Sequence, residues 1–342
     1  MNDSSADPAR PVRPIPLAIL GLGIMGERLL RATLTHDAGR VRLAAVWDPD
    51  PAASARFAAE FPDLPLAASA KAAMAAADCV YIAAPPAHHL GHARAALALG
   101  KAVFCEKPLA VDLADGRRFV GEVEVEGARV GVNFVFASSL AVDTLIAWIG
   151  EGVVGRPERL SIELAFAEWP RPWQAGASGW LAKRAEGGFT REVASHFLFL
   201  TRRLLGPLTL TSASTSYPPD GETAETAIEA RLTAGGLPVS LSGVVGGTAK
   251  ADHNLWTLEG SAGAIRLRDW SVAERRMADG SWAEHPAAMP NERARPLILQ
   301  RQLAKLAALT QGAADTGDLR RLASAREALA VQEVVEAILA AS

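Results

Sequence analysis

The sequence predicts an α/β protein in two parts: a parallel, doubly wound sheet over residues 15–128, then a domain over 129–342 with a large, mostly antiparallel sheet. Three observations carry this. Short aliphatic runs alternate with amphipathic segments through the first third of the chain. A glycine-rich turn follows the first run, and period-two strands later succeed one another with almost no helix between them. Length agrees, since 342 residues exceed what one core ordinarily serves.

In order, "IPLAIL", "VRLAAVW", "CVYIAA" and "AVFC" read as four parallel strands. Asp48 and Pro49 precede the helical "DPAASARFAAEF", Ser69 caps an alanine-rich run, and Asp112 caps residues 113 to 126. Leu160, Ile162, Leu164 and Phe166 then alternate with more polar neighbours, as in a strand with one covered face. "LTLTSASTSY", "ETAIEARLTA", "LPVSLSGVV", "HNLWTLEG" and "GAIRLRDW" continue in the manner of an antiparallel meander. Helical spacing returns only near 187–205 and from about 295, so the boundary is expected near Ala128.

Composition narrows the function classes. With 35 basic and 38 acidic side chains and a net charge of −3, the chain carries no electrostatic footprint for nucleic acid or an anionic membrane. No segment approaches the roughly 20 apolar residues of a membrane span, and residues 1–14 read as a polar, disordered leader. Cys79 and Cys105, the only cysteines, sit in apolar runs, which fits a reducing, cytoplasmic setting.

The first motif with chemistry is "AILGLGIMGERLL", in which Gly21, Gly23 and Gly26 form GxGxxG between strand and helix. A tight turn, a bare backbone and a helix N-terminus together receive a pyrophosphate. Asp48 closes the second strand 22 positions after Gly26, where a carboxylate bonds a ribose diol and repels a 2′-phosphate. NAD is therefore the expected cofactor and NADP the second choice. The bland reading has these glycines shaping a turn and Asp48 capping the next helix. After the third strand come Pro85 and a histidine cluster; His88 and His92 are four apart, but no ligand set accompanies them and no metal is expected. The opposed charges of Glu106 and Lys107, with Pro108, end the fourth strand at the sheet edge where such folds bind ligands. An ammonium there can steady a developing alkoxide.

These residues resemble the Gfo/Idh/MocA oxidoreductases, and the resemblance runs through almost the whole chain after residue 14: "ILGLGIMG", "DCVYIAAPPAHH", "ALGKAVFCEKPLA", "VGVNFVF", "GRPERLSIE", "GGFTREVASHF" and "LEGSAGAIRL". It implies an N-terminal Rossmann domain, a C-terminal α/β domain with an open antiparallel sheet, and homodimers or homotetramers built through that sheet. The C-terminal helix is expected to pack back on the first domain. Lys107 matches the family's active-site lysine and His89 the histidine of its third-strand motif. Where the family has an aspartate and a histidine four apart, this chain has Glu192 and His196. His196 is the candidate general acid/base, its ordinary pKa of about 6.5 suiting proton exchange with a hydroxyl or carbonyl oxygen, with Glu192 to orient it or to hold a substrate hydroxyl. A core-facing histidine satisfied by Glu192 is the plainer alternative.

The cofactor set expected from these motifs is Gly21, Gly23, Ile24, Met25, Gly26, Asp48, Ala84, Pro85, His89, Glu106 and Lys107. Substrate contacts are expected from Asn133, Trp169, Trp173, Trp180 and Arg191. Many relatives have an arginine where this chain has Val135, so Arg191, Lys183 or Arg184 is a candidate replacement. The tryptophans either stack on a sugar or cyclitol, making the substrate carbohydrate-like, or pin a long loop. Tyrosine-lysine dehydrogenase chemistry is excluded, because Pro85 and Gly221 stand four places after Tyr81 and Tyr217. The alternative to an enzyme is a catalytically inactive, dinucleotide-binding sensor or regulatory partner of the same fold.

Overall fold

The computed structural model describes residues 13–36, 39–312 and 318–341. The expected leader therefore lies almost wholly outside the described residues. β1 (Ile15–Leu20), α1 (Ile24–Leu34), β2 (Val41–Trp47), α2 (Pro51–Glu60), α3 (Ala70–Ala75), β3 (Cys79–Ile82), α4 (His89–Ala98), β4 (Ala102–Cys105), α5 (Leu113–Glu126) and β5 (Val130–Val132) build the first sheet and its covering helices. Its strands lie in the order β2-β1-β3-β4-β5, all parallel. Both faces are covered, which is why the strands read as continuous apolar runs. Leu17, Ile19, Tyr81 and Phe104 face one core, and Ala18, Leu20, Val80, Ile82 and Val103 face the other. Ser69 and Asp112 accept the N-terminal N–H bonds of α3 and α5. For α2 the cap is Asp50, while Asp48 is turned elsewhere.

The second sheet follows α6 (Leu140–Gly150). It comprises β6 (Pro157–Phe166), β7 (Leu208–Ser216), β8 (Ala227–Ala234), β9 (Leu237–Val245), β10 (Asp252–Gly260), β11 (Ala264–Arg268), β12 (Val272–Arg276) and β13 (Trp282–Glu284). The order is β13-β12-β11-β10-β6-β9-β8-β7. A plain meander is thus not what forms: β6 inserts between β9 and β10, pairing parallel with β9 and antiparallel with β10. Its inner face presents Leu160, Ile162, Leu164, Phe166, Leu241 and Trp256 to α6 and to α8 (Ser195–Leu205), which follows the short α7 (Ser178–Leu181). The helix α6 departs from the sequence expectation, because "LAVDTLIAWIG" is apolar nearly throughout and shows no helical stripe; Ser139 caps it.

Two C-terminal helices tie the halves together. Leu299, Leu303 and Leu306 of α9 (Asn291–Thr310) join the core on which α1 packs. A short strand, β14 (Ala323–Ser324), adds antiparallel to β5, and α10 (Ala325–Ala340) follows with a Ser324/Glu327 capping box. Arg203 of α8 pairs with Glu327, and Gln332 of α10 bonds the backbone of Ala110. Among the described residues no helix is long and apolar enough to cross a membrane.

Candidate active site

The glycine turn is shaped by contact as much as by conformation. Gly21 has φ +96°, and a Cβ on Gly26 would overlap the carbonyl oxygen of Gly21. Gly26→Ala is therefore expected to lower stability by about 3 kcal/mol, from overpacking against backbone that cannot yield; urea unfolding measures it, and a loss below about 0.5 kcal/mol would contradict the packing. Gly23 is different: a Cβ there would meet nothing within 4 Å, and as N-cap of α1 the residue makes no side-chain cap bond. Open backbone in front of unsatisfied helix N–H groups is what a pyrophosphate requires, so this turn with Ile24 and Met25 fits a dinucleotide. Asp48 closes the turn from β2: its carboxylate accepts from Leu22 N at 2.6 Å and from Asp50 N at 2.8 Å.

The ends of β3 and β4 meet at the same edge. Ala84, half-buried, and Pro85, exposed, line it, whereas His89 and Glu106 lie inside. His89 lies 2.8 Å from the carbonyls of both Ala84 and Pro108, so it staples the two loops together. Burial pulls its pKa down to about 4, and the two carbonyls compete for the single proton of the neutral ring. Glu106 accepts from Tyr81 Oη and from Asn133 Nδ2, and burial pushes its pKa up. Asn133 is 1% exposed and also accepts from Gln302 of α9, so it supports Glu106 from below and is not presented to a substrate.

Lys107 crosses from this edge to the second domain. Its bond to Pro108 is cis. The Nζ donates to the Glu192 carboxylate and, at 3.1 Å, to the Glu192 carbonyl. That carbonyl belongs to a π-helical turn, Thr190–Ala194, which leads into α8. Such turns widen the backbone hydrogen-bond ring and recur at functional sites. Gly188, at φ +96°, admits the buried carboxylate of Glu225, which accepts from Thr190 N at 2.7 Å and so holds the turn's start. Glu192 and His196 are thus not related by an ordinary α-turn. Glu192 reaches Lys107 and Gln174, not the imidazole. His196 lies among Phe134, Phe136 and Trp270, with ring centroids at 5.5, 6.1 and 5.5 Å. Its Nδ1 is buried without a partner. Burial, then the charges of Lys107 and Arg171, push its pKa well below the ordinary value, so the ring is neutral at pH 7.

The loop after β6 supplies a residue to which the sequence alone does not point. Arg171, 4% exposed, donates to Gln174 Oε1 at 2.9 Å and to Asp252 Oδ2 at 2.6 Å, and its other terminal nitrogen lies 3.9 Å from Glu192. Trp169 packs on Phe166 and Phe189 and donates to the Leu181 carbonyl, pinning the loop. Guanidinium groups of Arg28 and Arg171 lie 4.6 Å over the Trp173 ring, occupying the surface expected for sugar stacking. Trp180 is partly exposed on α7. Arg191 is turned away, paired with Glu336 of α10 and donating to the carbonyls of Arg184 and Gly187. Lys183 pairs with Glu222, and Arg184 lies over Tyr217. Trp270 carries no signal in sequence: it sits at φ 74°, after Asp269 at 46°, in the hairpin between β11 and β12. A bulky residue held there costs about 1–3 kcal/mol, strain that cores tolerate where geometry is needed. His88 and His92 have ring centroids 6.3 Å apart, and no group of three or more potential ligands is placed to hold a metal among the described residues.

Residues 15–134 match the family model of the Gfo/Idh/MocA group, an oxidoreductase family with an NAD-binding Rossmann fold. The likeness to that family thus rests on residues 15–134, about a third of the chain. A 1,5-anhydro-D-fructose reductase of Ensifer adhaerens is 32% identical over 111 residues, 32% of each chain. An inositol 2-dehydrogenase of Acidothermus cellulolyticus is 31% identical over 148 residues, 42% of this chain and 43% of that one. The chain thus spans less than half the length of these two relatives. Beyond the matched domain the likeness is one of fold: an Agrobacterium radiobacter oxidoreductase, solved with NAD+, L-tartaric acid and magnesium, has TM-score 0.78 at 19% identity, over 94% of both chains. Just past the matched residues, Val135 opens a short 3-10 turn packed on the core, and the buried cation near Glu192 comes from Arg171.

Proposed function

We propose that this protein is an NAD(P)-dependent oxidoreductase acting on a secondary hydroxyl or carbonyl of a sugar, polyol or cyclitol-like substrate, with NAD preferred. The observation that supports this reading is the pairing of Lys107, from the first domain, with Glu192 in the π-helical turn of the second that leads into His196, whose ring feels the charge of Lys107. The open turn at Gly21, Gly23 and Gly26 with Asp48 would hold the dinucleotide, and a bound nicotinamide supplies or accepts the hydride. Lys107, held by Glu192, steadies the reacting oxygen, and His196 takes the hydroxyl proton on the unpartnered ring. The names of the inositol and anhydrofructose relatives support a carbohydrate-like substrate.

The test is reduced-nicotinamide absorbance with NAD and with NADP across myo-inositol, aldoses and polyols. Turnover of at least one compound, faster with NAD, is expected. Tight cofactor binding without turnover of any would leave the sensor instead. We read the location as cytoplasmic and the assembly as a dimer or tetramer through the outer face of the second sheet, where Arg159, Glu163, Glu229 and Arg231 are exposed; light scattering would return a monomer mass if that face does not pair.

A further inference from the structure

We infer that the substrate carries an anionic group, carboxylate or phosphate, received by Arg28 beside Arg171 and Arg295 where the Trp173 loop closes on α1. This rests on the reading above and adds a charge requirement to it. Arg28 points from the second turn of α1 toward the second domain, its guanidinium 4.6 Å over Trp173. Arg171 lies at the same distance over the same ring, so two guanidinium groups share one indole. Among the described residues neither Arg28 nor Arg295 has an ion-pair partner, and the one hydrogen bond of Arg28 goes to the Met25 sulfur at 3.5 Å.

The local charge does not balance. Lys107, Arg28, Arg171 and Arg295 are opposed by Glu192 and Asp252, and the Glu192 carboxylate is already bonded to Lys107 and Gln174. Glu106 lies deeper and is satisfied by Tyr81 and Asn133. Half-buried cations without carboxylates are costly unless an anion completes them. Burial and the neighbouring Arg295 and Arg171 pull the Arg28 pKa down to about 10, which leaves it charged at neutral pH and records the crowding. The position argues against the cofactor's 2′-phosphate as that anion: Arg28 lies within electrostatic reach of Glu106 and Glu192, whereas the ribose of a bound dinucleotide would be expected at Asp48, which closes the glycine turn from β2. The cofactor's pyrophosphate is the competing source, and the experiment separates it.

Matched probes differing in charge decide the matter by calorimetry on the full chain saturated with NAD: D-gluconate and D-glucitol 6-phosphate against neutral D-glucitol. At least one anion should bind about tenfold tighter than D-glucitol, with an advantage that shrinks as salt is raised. Arg28→Gln should remove about tenfold of that affinity and leave NADH affinity within about twofold, and Arg28→Lys should restore part of it. The stronger of the two anions identifies the group. Equal binding of all three probes, or no binding of either anion, overturns the inference. So does an Arg28→Gln enzyme that loses NADH affinity while keeping anion affinity, which would assign Arg28 to the pyrophosphate. Turnover of neutral polyols without anion preference would sink this inference and leave the oxidoreductase reading standing. Charge-selective binding without turnover of any compound would do the reverse.

Discussion

Lys107→Met is expected to lower kcat about a thousandfold on whichever compound the enzyme turns over, while NADH affinity stays within about threefold. The expectation follows from where the ammonium sits. Lys107 is 9% exposed at the tip of β4 and reaches across the domain boundary to the carbonyl and one carboxylate oxygen of Glu192. In the proposed mechanism an ammonium so fixed would present its remaining donor to a reacting oxygen at no cost of reorganisation at the moment charge develops there. Most of the proposed dinucleotide cradle, Gly21, Gly23, Gly26 and Asp48, lies apart from Lys107 on the first turn and β2, so the loss of affinity should be small. Folding should survive as well: Glu192 keeps Gln174 and lies near Arg171, and with its side chain 22% exposed it can draw on water, limiting the loss to about 2 kcal/mol. Lys107→Arg should not rescue, because a forked, longer cation cannot keep one donor on the carbonyl and another on the substrate. Steady-state rates and fluorescence titration with NADH measure both quantities. A methionine variant within tenfold of the wild-type rate would remove Lys107 from the chemistry.

The first half of this site was legible because its signals are local. A glycine triad, a carboxylate after β2 and a charged tip after β4 each occupy a few consecutive residues, and the parallel topology carries them to one edge. The second half depends on contacts that no window of sequence contains. Arg171 reads as one more polar loop residue until Asp252, 81 positions away, takes its guanidinium. Trp270 is placed by a left-handed hairpin, and nothing in "RDWS" announces that conformation. Glu192 and His196 fit the spacing of an α-turn, and only the packing of Glu225 under Gly188 and Thr190 shows that the turn is wider. Asn133 and Arg191, expected as substrate contacts, are engaged within the protein for a related reason: a polar residue near a motif can satisfy the interior as readily as a ligand, and Gln302 and Glu336 lie on helices too distant in sequence to be seen.

His196→Asn should lower the rate of hydroxyl oxidation about a hundredfold to a thousandfold and change its pH profile. The wild-type ring must be neutral to accept a proton. Burial first, then the charges of Lys107 and Arg171, disfavour the imidazolium, so the folded pKa lies below the unfolded value of about 6.5. Oxidation should therefore hold its rate as pH falls through 6.5 and fail only well below it, while the reverse reduction, which needs the imidazolium, should accelerate over that range. Stability carries the same sign. The unfolded chain binds the proton more readily, so the contribution of His196 is fully present above about pH 6.5 and is lost as pH falls toward its folded pKa. In the asparagine variant the acid limb of oxidation should disappear and the urea midpoint should depend less steeply on pH below 6.5. An acid limb centred at or above 6.5 in the wild type would mean that the proton is taken by a group other than this ring. A limb unchanged by the substitution would mean the same, since among the described residues the ring, enclosed by Phe134, Phe136 and Trp270, has no carboxylate with which to share the proton.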